Sequence, residues 1–386
     1  MPCRRRLKRS KKKSSPARDC DCKNRRRNKG QNKRDVLTAA GSVSVRRRYF
    51  TCNHCLEGLY PADRRLGING SRTRQAERLL CLAGSSWSFA VAESTLEEFC
   101  GLKVSHQTIR AVCDSQGRNI SRWRHENTEQ YEEFAESEGD IEFSTDGTSV
   151  NTKDGWREMR IGIFSKRHRG ETADANNWDK RKLPKPHVRV AFAAIEKSKR
   201  FGSRWARWTK RLSIRDTSLV TVLADGARWI WEEASMHLGG SSGVLDIFHA
   251  LEHVSAAAAG LHGDGTDAAG KWLDGGRDAL LCGGWPSMFE YLRSTRKEVP
   301  RGRWKNHGRP LMEYLGRQKE HLAYPQRLAA GQSIGSGQVE GACKNMVGRR
   351  LKQTGAQWRV RRVNRMATLC STLYSGDWAL YWENPH

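Results

Sequence analysis

Between Leu219 and His253 the spacing of apolar positions changes period twice. Leu219 to Leu223 is a continuous apolar, β-branched run of strand length, bounded by polar residues. Asp225 and Gly226 follow at once. Arg228 to His237 has helical spacing and is closed by Gly239 and Gly240. Val244 to Phe248 is predicted as a second short strand that leads to His249 and Glu252. Such a strand–Asp–helix–strand unit delivers a carboxylate to the C-terminal end of a strand, where α/β sheets meet their ligands.

The same reading extends in both directions. Ile141 to Phe143 is a short predicted strand followed by Ser144-Thr145-Asp146-Gly147, again an Asp then a Gly after a strand. Trp156 to Phe164 and Val188 to Ile195 are two further strands, with a charged loop, Ser165 to His187, between them. Strands in succession followed by strand–helix alternation predict an α/β fold with a mixed sheet and helices on its faces, over 141–254. In that sheet the first and fourth strands can be neighbours. Residues 255–332 lack strand runs, are Gly-rich and read as an all-helical insertion. The chain then returns, over 333–386, through a Gly-Ser-Gly turn in which Ser336 can cap a helix carrying Glu340, with Lys344 one turn on and a cationic patch of Arg349, Arg350 and Lys352 beyond.

The first third reads differently. Arg72 to Arg124 is helical: Leu79, Leu80 and Leu82 end one helix, Phe89, Ala92, Leu96 and Phe99 share a face of a second, and Gly101 breaks it. Ser105 is placed to cap a third, with Ile109, Val112, Ile120 and Trp123 on its apolar face. Helix, Gly-containing turn and capped helix give the helix-turn-helix order, over 70–135. The acidic stretch Glu126 to Asp140 reads as a solvated linker or helix end and a domain boundary. Upstream, Val36 to Thr38 and Val43 to Phe50 form a predicted hairpin, bracketed by Cys20-Asp21-Cys22 and Cys52-Asn53-His54-Cys55. Two close cysteine pairs at the ends of a hairpin predict a tetrahedral zinc site in a zinc-ribbon-like module over 18–66. The first pair is one residue tighter than the usual spacing, and His54 could replace one thiolate.

Charge changes what this architecture is for. The net charge is +27 and the pI about 10, far beyond the needs of solubility, and implies a polyanionic partner, for which we read double-stranded DNA. Of residues 1–34, 16 are Lys or Arg. Such a block repels itself and is expected to form a basic disordered leader. Lys199 to Arg211 is basic with Trp205 and Trp208 interleaved, which fits either a nucleic-acid contact or a helix with one aromatic edge in the core. No apolar run approaches the length of a membrane span, and no secretory signal is evident, so a cytoplasmic, nucleoid-associated location is expected. Five of the 11 cysteines fall in the first 55 residues, a pattern that points to metal rather than disulfides.

Three acidic residues remain: Asp146, Asp225 and Glu340. Carboxylates held near each other repel unless cations neutralise them. Oxygen-only ligands suit Mg2+ or Mn2+, and two such ions can activate a water and stabilise a leaving 3′ oxygen in phosphodiester cleavage.

The blocks TDGTSV with the GWREM that includes Trp156, LADGARWIWEEA, LDIFHALEHV and IGSGQVEGACKNMVGRRLKQTGAQW resemble those of bacterial insertion-sequence transposases of the DDE class. The specific likeness is to the ISKra-type group, related more distantly to Mutator-type elements. It runs from about Cys52 to the C-terminus, where Gly376-Asp377-Trp378 and Tyr381-Trp382 also look like the family's ending. The resemblance implies an RNase-H-like catalytic core split by the helical insertion, with Asp146, Asp225 and Glu340 as the metal-binding triad. It also implies a supporting role for the Asp246-Ile-Phe-His249 element. The expected activity is binding of terminal inverted repeats, metal-dependent strand cleavage and strand transfer into target DNA, by a homo-oligomer, a dimer on DNA. Where the family has Glu-Ser after the Gly-Ser-Gly turn, this chain has Glu340-Gly341. A catalytically silent DNA-binding regulator and an RNase-H-like nuclease are the alternatives.

Overall fold

The computed structural model describes residues 20–126, 128–215 and 218–383. Cys3 and most of the expected leader lie outside them. Over these residues the chain is a mixed α/β protein with two five-stranded mixed sheets, and it divides into two compact units with the boundary between Val112 and Cys113. The division falls inside the helix His106–Glu126, not in the acidic stretch expected to mark it. That stretch is instead a helix, Glu129–Glu136, because Tyr131 and Phe134 are spaced to bury in the core of the second unit.

The first unit is built on a long ribbon. Strands β1 (Arg26–Thr38) and β2 (Gly41–Cys52) pair antiparallel in register from Arg26↔Cys52 to Thr38↔Gly41, with one irregularity between Asn28 and Gln31. The turn is set by Gly41 at φ +107° and by the Thr38 hydroxyl, which donates to the Gly41 carbonyl at 2.8 Å. Residues 26–34, expected in the disordered leader, are therefore strand. Their side chains are almost all exposed, so no hydrophobic period marks them. Their order comes from backbone pairing, pinned at one end by the cysteines and at the other by buried Val36. Short strands β3 (Gly58–Leu59), β4 (Ile68–Asn69) and β5 (Arg72–Thr73) complete the sheet in the order β3-β2-β1-β5-β4. Helices Arg74–Ser86 and Phe89–Cys100 follow, capped by Thr73 and Ser88, and the second ends on Gly101 at φ +63°. The Ser105 hydroxyl accepts from the Thr108 amide, as expected of a cap. Phe99, assigned to an apolar face, is instead 79% exposed.

The second unit carries the second sheet, from β6 (Asp140–Thr152), β7 (Gly155–Arg167), β8 (Val188–Ala194), β9 (Val220–Ala224) and β10 (Ser241–Leu245). Their order is β10-β9-β6-β7-β8. β6, β7 and β8 form an antiparallel meander; β9 lies parallel to β6, and β10 parallel to β9. The first and fourth strands of the unit are thus neighbours. β6 and β7 run much longer than their apolar cores, so Asp146 sits inside β6 rather than beyond its end. β9 is buried along its whole length, as a central strand covered on both faces must be. One face packs Phe143, Phe164 and Val190 against Phe201, Trp205 and Trp208 of the helix Ser198–Arg211. These two tryptophans are core residues, which removes them from the DNA-contact assignment. Residues 255–332 are helical. The long helix Asp267–Glu298 is broken at Gly284, just before Pro286, and the segment packs on β9 and β10 through Leu223, Val244 and Leu245.

Candidate functional site: a cysteine cluster and a carboxylate edge

The cysteine cluster lies at the free end of the β1–β2 ribbon. Cys20 and Cys22 precede β1, Cys52 ends β2, and Cys55 follows three residues on. Each pair sits on a tight backbone turn: the Lys23 amide donates to the Cys20 carbonyl at 2.8 Å, and the Leu56 amide to the Cys52 carbonyl at 3.1 Å. Lys23 (φ +65°) and Leu56 (φ +61°) are two of three non-glycine residues with positive φ among the described residues. Left-handed backbone is costly for such side chains, and it occurs here just after each cysteine pair. The Cys20–Cys55 sulfurs are 3.4 Å apart and the Cys22–Cys52 sulfurs 3.5 Å, and all four lie within 4.8 Å of one another. Four sulfurs at about 2.3 Å from a tetrahedral zinc would be about 3.8 Å apart. The donor set and its spacing therefore fit a metal ion and are compatible with zinc. Within the cluster the thiols split: Cys22, with donors from the Asn24 backbone and side chain, is pulled down to about 6, toward the thiolate a metal needs, while Cys20 is pushed up to about 12 and Cys55 is also raised. His54 is exposed and not among the clustered ligands.

The carboxylate edge belongs to the second unit. The β6–β9 register ends at Ser144↔Leu223, so two residues further along Asp146, still within β6, and Asp225, just past the end of β9, come side by side. Asp146 Oδ1 accepts from the Gly147 amide at 2.6 Å, and its Oδ2 from the Cys343 thiol at 3.4 Å. Burial pushes the Asp146 carboxyl above the usual range; these two donors oppose that, the Asp225 charge adds to it, and His249 lowers it. The Cys343 thiol is held far above its ordinary value by burial, then by Asp146, with Glu340 adding, so it stays a protonated donor.

The turn after β9 is clamped by the helical segment. Asp225 Oδ1 accepts from the Ala227 amide at 3.0 Å; Tyr314 Oη donates to the Asp225 carbonyl at 3.3 Å, and Gln318 Nε2 to the Gly226 carbonyl at 2.9 Å. Gly226 has φ +86°, and a Cβ there would lie 2.7 Å from Leu245 Cδ1. Only glycine fits this turn.

Glu340 arrives on the helix Gly337–Ala342, exposed to solvent. That helix is anchored by Gln338, whose Oε1 accepts from Ser165 of β7 at 2.8 Å and whose carbonyl accepts from Tyr374 Oη at 3.2 Å. The turn before it is fixed by Asp246. This buried carboxylate accepts the Phe248 and His249 amides at 2.7 and 3.0 Å and also the Ser336 amide. Asp246 is thus the N-cap of the helix Ile247–His262 and ties that helix to the Glu340 turn. β10 ends at Leu245, earlier than expected, because Asp246 caps a helix; His249 lies in that helix's first turn. The His249 ring is half-exposed, pairs with Glu252 at 3.3 Å and meets the His253 ring edge-on at 5.1 Å, which in turn lies against Tyr314.

Among the described residues, the cysteine cluster is the one group of three or more His, Cys, Asp or Glu side chains close enough to hold a metal ion. Asp146, Asp225 and Glu340 share one edge of the unit but do not close to that distance. Lys344 is exposed on the π-helical turn Cys343–Gly348. Of the expected cationic patch, Arg349 and Lys352 are exposed, and Lys352 donates to Thr148 of β6. Arg350 is only 2% exposed and lies over the Trp358 ring at 4.9 Å, so it is a packing residue rather than a DNA contact. Sequence reading missed Cys343, Tyr314 and Gln318. Cys343 had a usable signal, three residues after Glu340; the other two act on backbone carbonyls, which no motif advertises. Comparison with protein-family models and with curated proteins returns no match.

Proposed function

We propose that this protein is a DNA transposase of the DDE class, with an RNase-H-like core, a zinc-ribbon-like module and a helix-turn-helix region. The observation that carries the reading is the β6–β9 pairing, which sets Asp146 beside Asp225 although 79 residues separate them. The order β10-β9-β6-β7-β8, an antiparallel meander with two parallel strands added to its first strand, supports the same reading. Asp146, Asp225 and Glu340 would hold Mg2+ or Mn2+, which when bound supplies the Lewis acidity for phosphodiester hydrolysis and strand transfer.

The chain's own contributions follow from the geometry. Burial and then the neighbouring Asp225 charge raise the Asp146 carboxyl, and a bound dication would offset both. The Cys343 thiol and the Gly147 amide aim the Asp146 oxygens. Tyr314 and Gln318 fix the turn that presents Asp225. Asp246 and Gln338 fix the helix that carries Glu340, whose exposed side chain is free to swing toward the two aspartates. The +27 charge draws in the DNA backbone.

The test is strand cleavage of a labelled duplex carrying the repeat that flanks the gene, with Mg2+ or Mn2+, by the protein and by Asp225→Ala. The expected result is metal-dependent cleavage at the repeat end, lost in the variant by more than the roughly 100-fold that follows loss of an outer-sphere partner. Repeat-specific binding without cleavage by either protein would favour a DNA-binding regulator, the second reading. The open spacing of the three carboxylates is the observation on its side.

A further inference from the structure

The second unit has a strongly cationic groove that none of the features above uses. Two adjoining cavities, about 130 and 510 Å³, share Ser121, His125, Arg204 and Thr368 on their walls. They lie where the helices His106–Glu126, Ser198–Arg211 and Val360–Ser375 meet over β8, at Ala193 and Ala194. Their combined lining includes eight arginines and, among the described residues, no carboxylate. Three of the eight are neutralised from outside the lining: Arg124 by Asp377, Arg204 by Glu196 and Arg365 by Asp114. Arg118, Arg122, Arg207 and Arg361 are exposed and have no ion pair among the described residues. A folded chain has no reason of stability to crowd unneutralised cations into one concavity, since like charges there repel. His125, between them, is held below its ordinary value by burial and then by Arg211, Arg207 and Arg204.

The position of the groove is as telling as its charge. Ala193 pairs with Ile161 of β7, and Ile161 pairs with Asp146 of β6. The groove therefore opens on the same row of the sheet as Asp146, two strand spacings away, or about 10 Å at about 4.8 Å per strand. That distance is two to three nucleotides of a strand rising about 3.4 Å per base.

We propose that this groove holds the sugar–phosphate backbone of the DNA beside the scissile phosphodiester, with Arg122, Arg207 and Arg361 as phosphate contacts. The proposal rests on the functional reading above and adds to it where the DNA runs. Its chemistry calls for a repeating anion rather than one bound phosphate, because the unpaired guanidinium groups come from three helices along an open channel. No base-reading role is needed, so sequence preference would come from elsewhere in the chain.

The test is the salt dependence of duplex binding, followed by fluorescence anisotropy with the full chain. Arg122→Gln, Arg207→Gln and Arg361→Gln are combined in one variant; Arg296→Gln, Lys297→Gln and Arg301→Gln, which carry the same charge change on the helical segment, form the control. Loss of three phosphate contacts should reduce the slope of log K against log salt by about 2.7, with the control near wild type. An equal reduction in both variants, or an unchanged slope in the groove variant, overturns the groove assignment while leaving the functional reading in place. A selective loss of binding to an RNA duplex of the same sequence, with DNA binding intact, also overturns it. Failure of the wild type to bind DNA at all overturns both.

Discussion

The cysteine cluster and the carboxylate edge are built on opposite plans. The four sulfurs come from two short turns at one end of a single ribbon, and they already stand within 4.8 Å of one another. The three acids come from two strands and a late helix, brought to one edge by long-range topology, and they stand apart. Clustered thiols can share protons and crowd without a metal, whereas ionised carboxylates repel until a cation sits between them. A structural site is complete when its ribbon folds; a site that must admit substrate and metal is expected to remain open at one member, here Glu340.

The contrast is broken most forcefully at the cysteines. Removal of metal by a strong chelator, or Cys52→Ser, should release the ribbon, since metal binding at such sites contributes on the order of 10 kcal/mol to folding. Elemental analysis should give one zinc per chain, and hydrogen exchange should show loss of protection in β1 and β2 with the second unit unaffected. Full protection in the metal-free protein would show that the cluster is not a structural metal site.

Gly226→Ala probes the other region. It places a side chain at φ +86° against Leu245 and the Tyr314–Gln318 clamp, which should cost roughly 1–3 kcal/mol. The denaturation midpoint reads it, and cleavage should fall with it because Asp225 shares the turn. A variant as stable as wild type would mean the turn relaxes freely and the clamp does not position Asp225.

The smallest effect concerns Asp146. Its folded-state pKa is raised by burial and by Asp225, so its favourable contribution is fully present below the unfolded value and is lost as pH rises through the folded one. Without divalent metal, Asp146→Asn should therefore be slightly more stable than wild type at neutral pH. The gain should shrink as pH falls toward the folded pKa and reverse when Mg2+ is added. Thermal unfolding across pH, with and without Mg2+, reads all three signs.

Much of this was legible in the sequence for a physical reason. β9 and the helix Arg228–His237 announce themselves because central burial forces a continuous apolar run and a surface helix forces a 3.6 period. The cysteine pairs are legible because sulfur ligands come in short spacings. The long ribbon was not, since β1 is exposed on nearly all its length and its residues read as a charged tail. Trp205 and Trp208 were misassigned because a basic helix can bury its aromatic edge while its arginines stay wet, and Arg350 because sequence alone does not say which member of a basic run is covered. Asp246 looked like a companion of His249 in chemistry; its oxygens are spent on three backbone amides. Of the arginine groove only the wall from the basic stretch Lys199 to Arg211 was legible; its other cations come from two helices far apart in the chain.

The central claim is that Asp146, Asp225 and Glu340 form one cation site that closes when metal arrives. The most direct measurement is Mn2+ uptake by electron paramagnetic resonance, on the zinc-loaded protein with bound duplex, for wild type, Asp225→Asn and Glu340→Gln. The account predicts two bound Mn2+ per chain in wild type and weakened uptake in each variant. Equal Mn2+ uptake by all three proteins would contradict it.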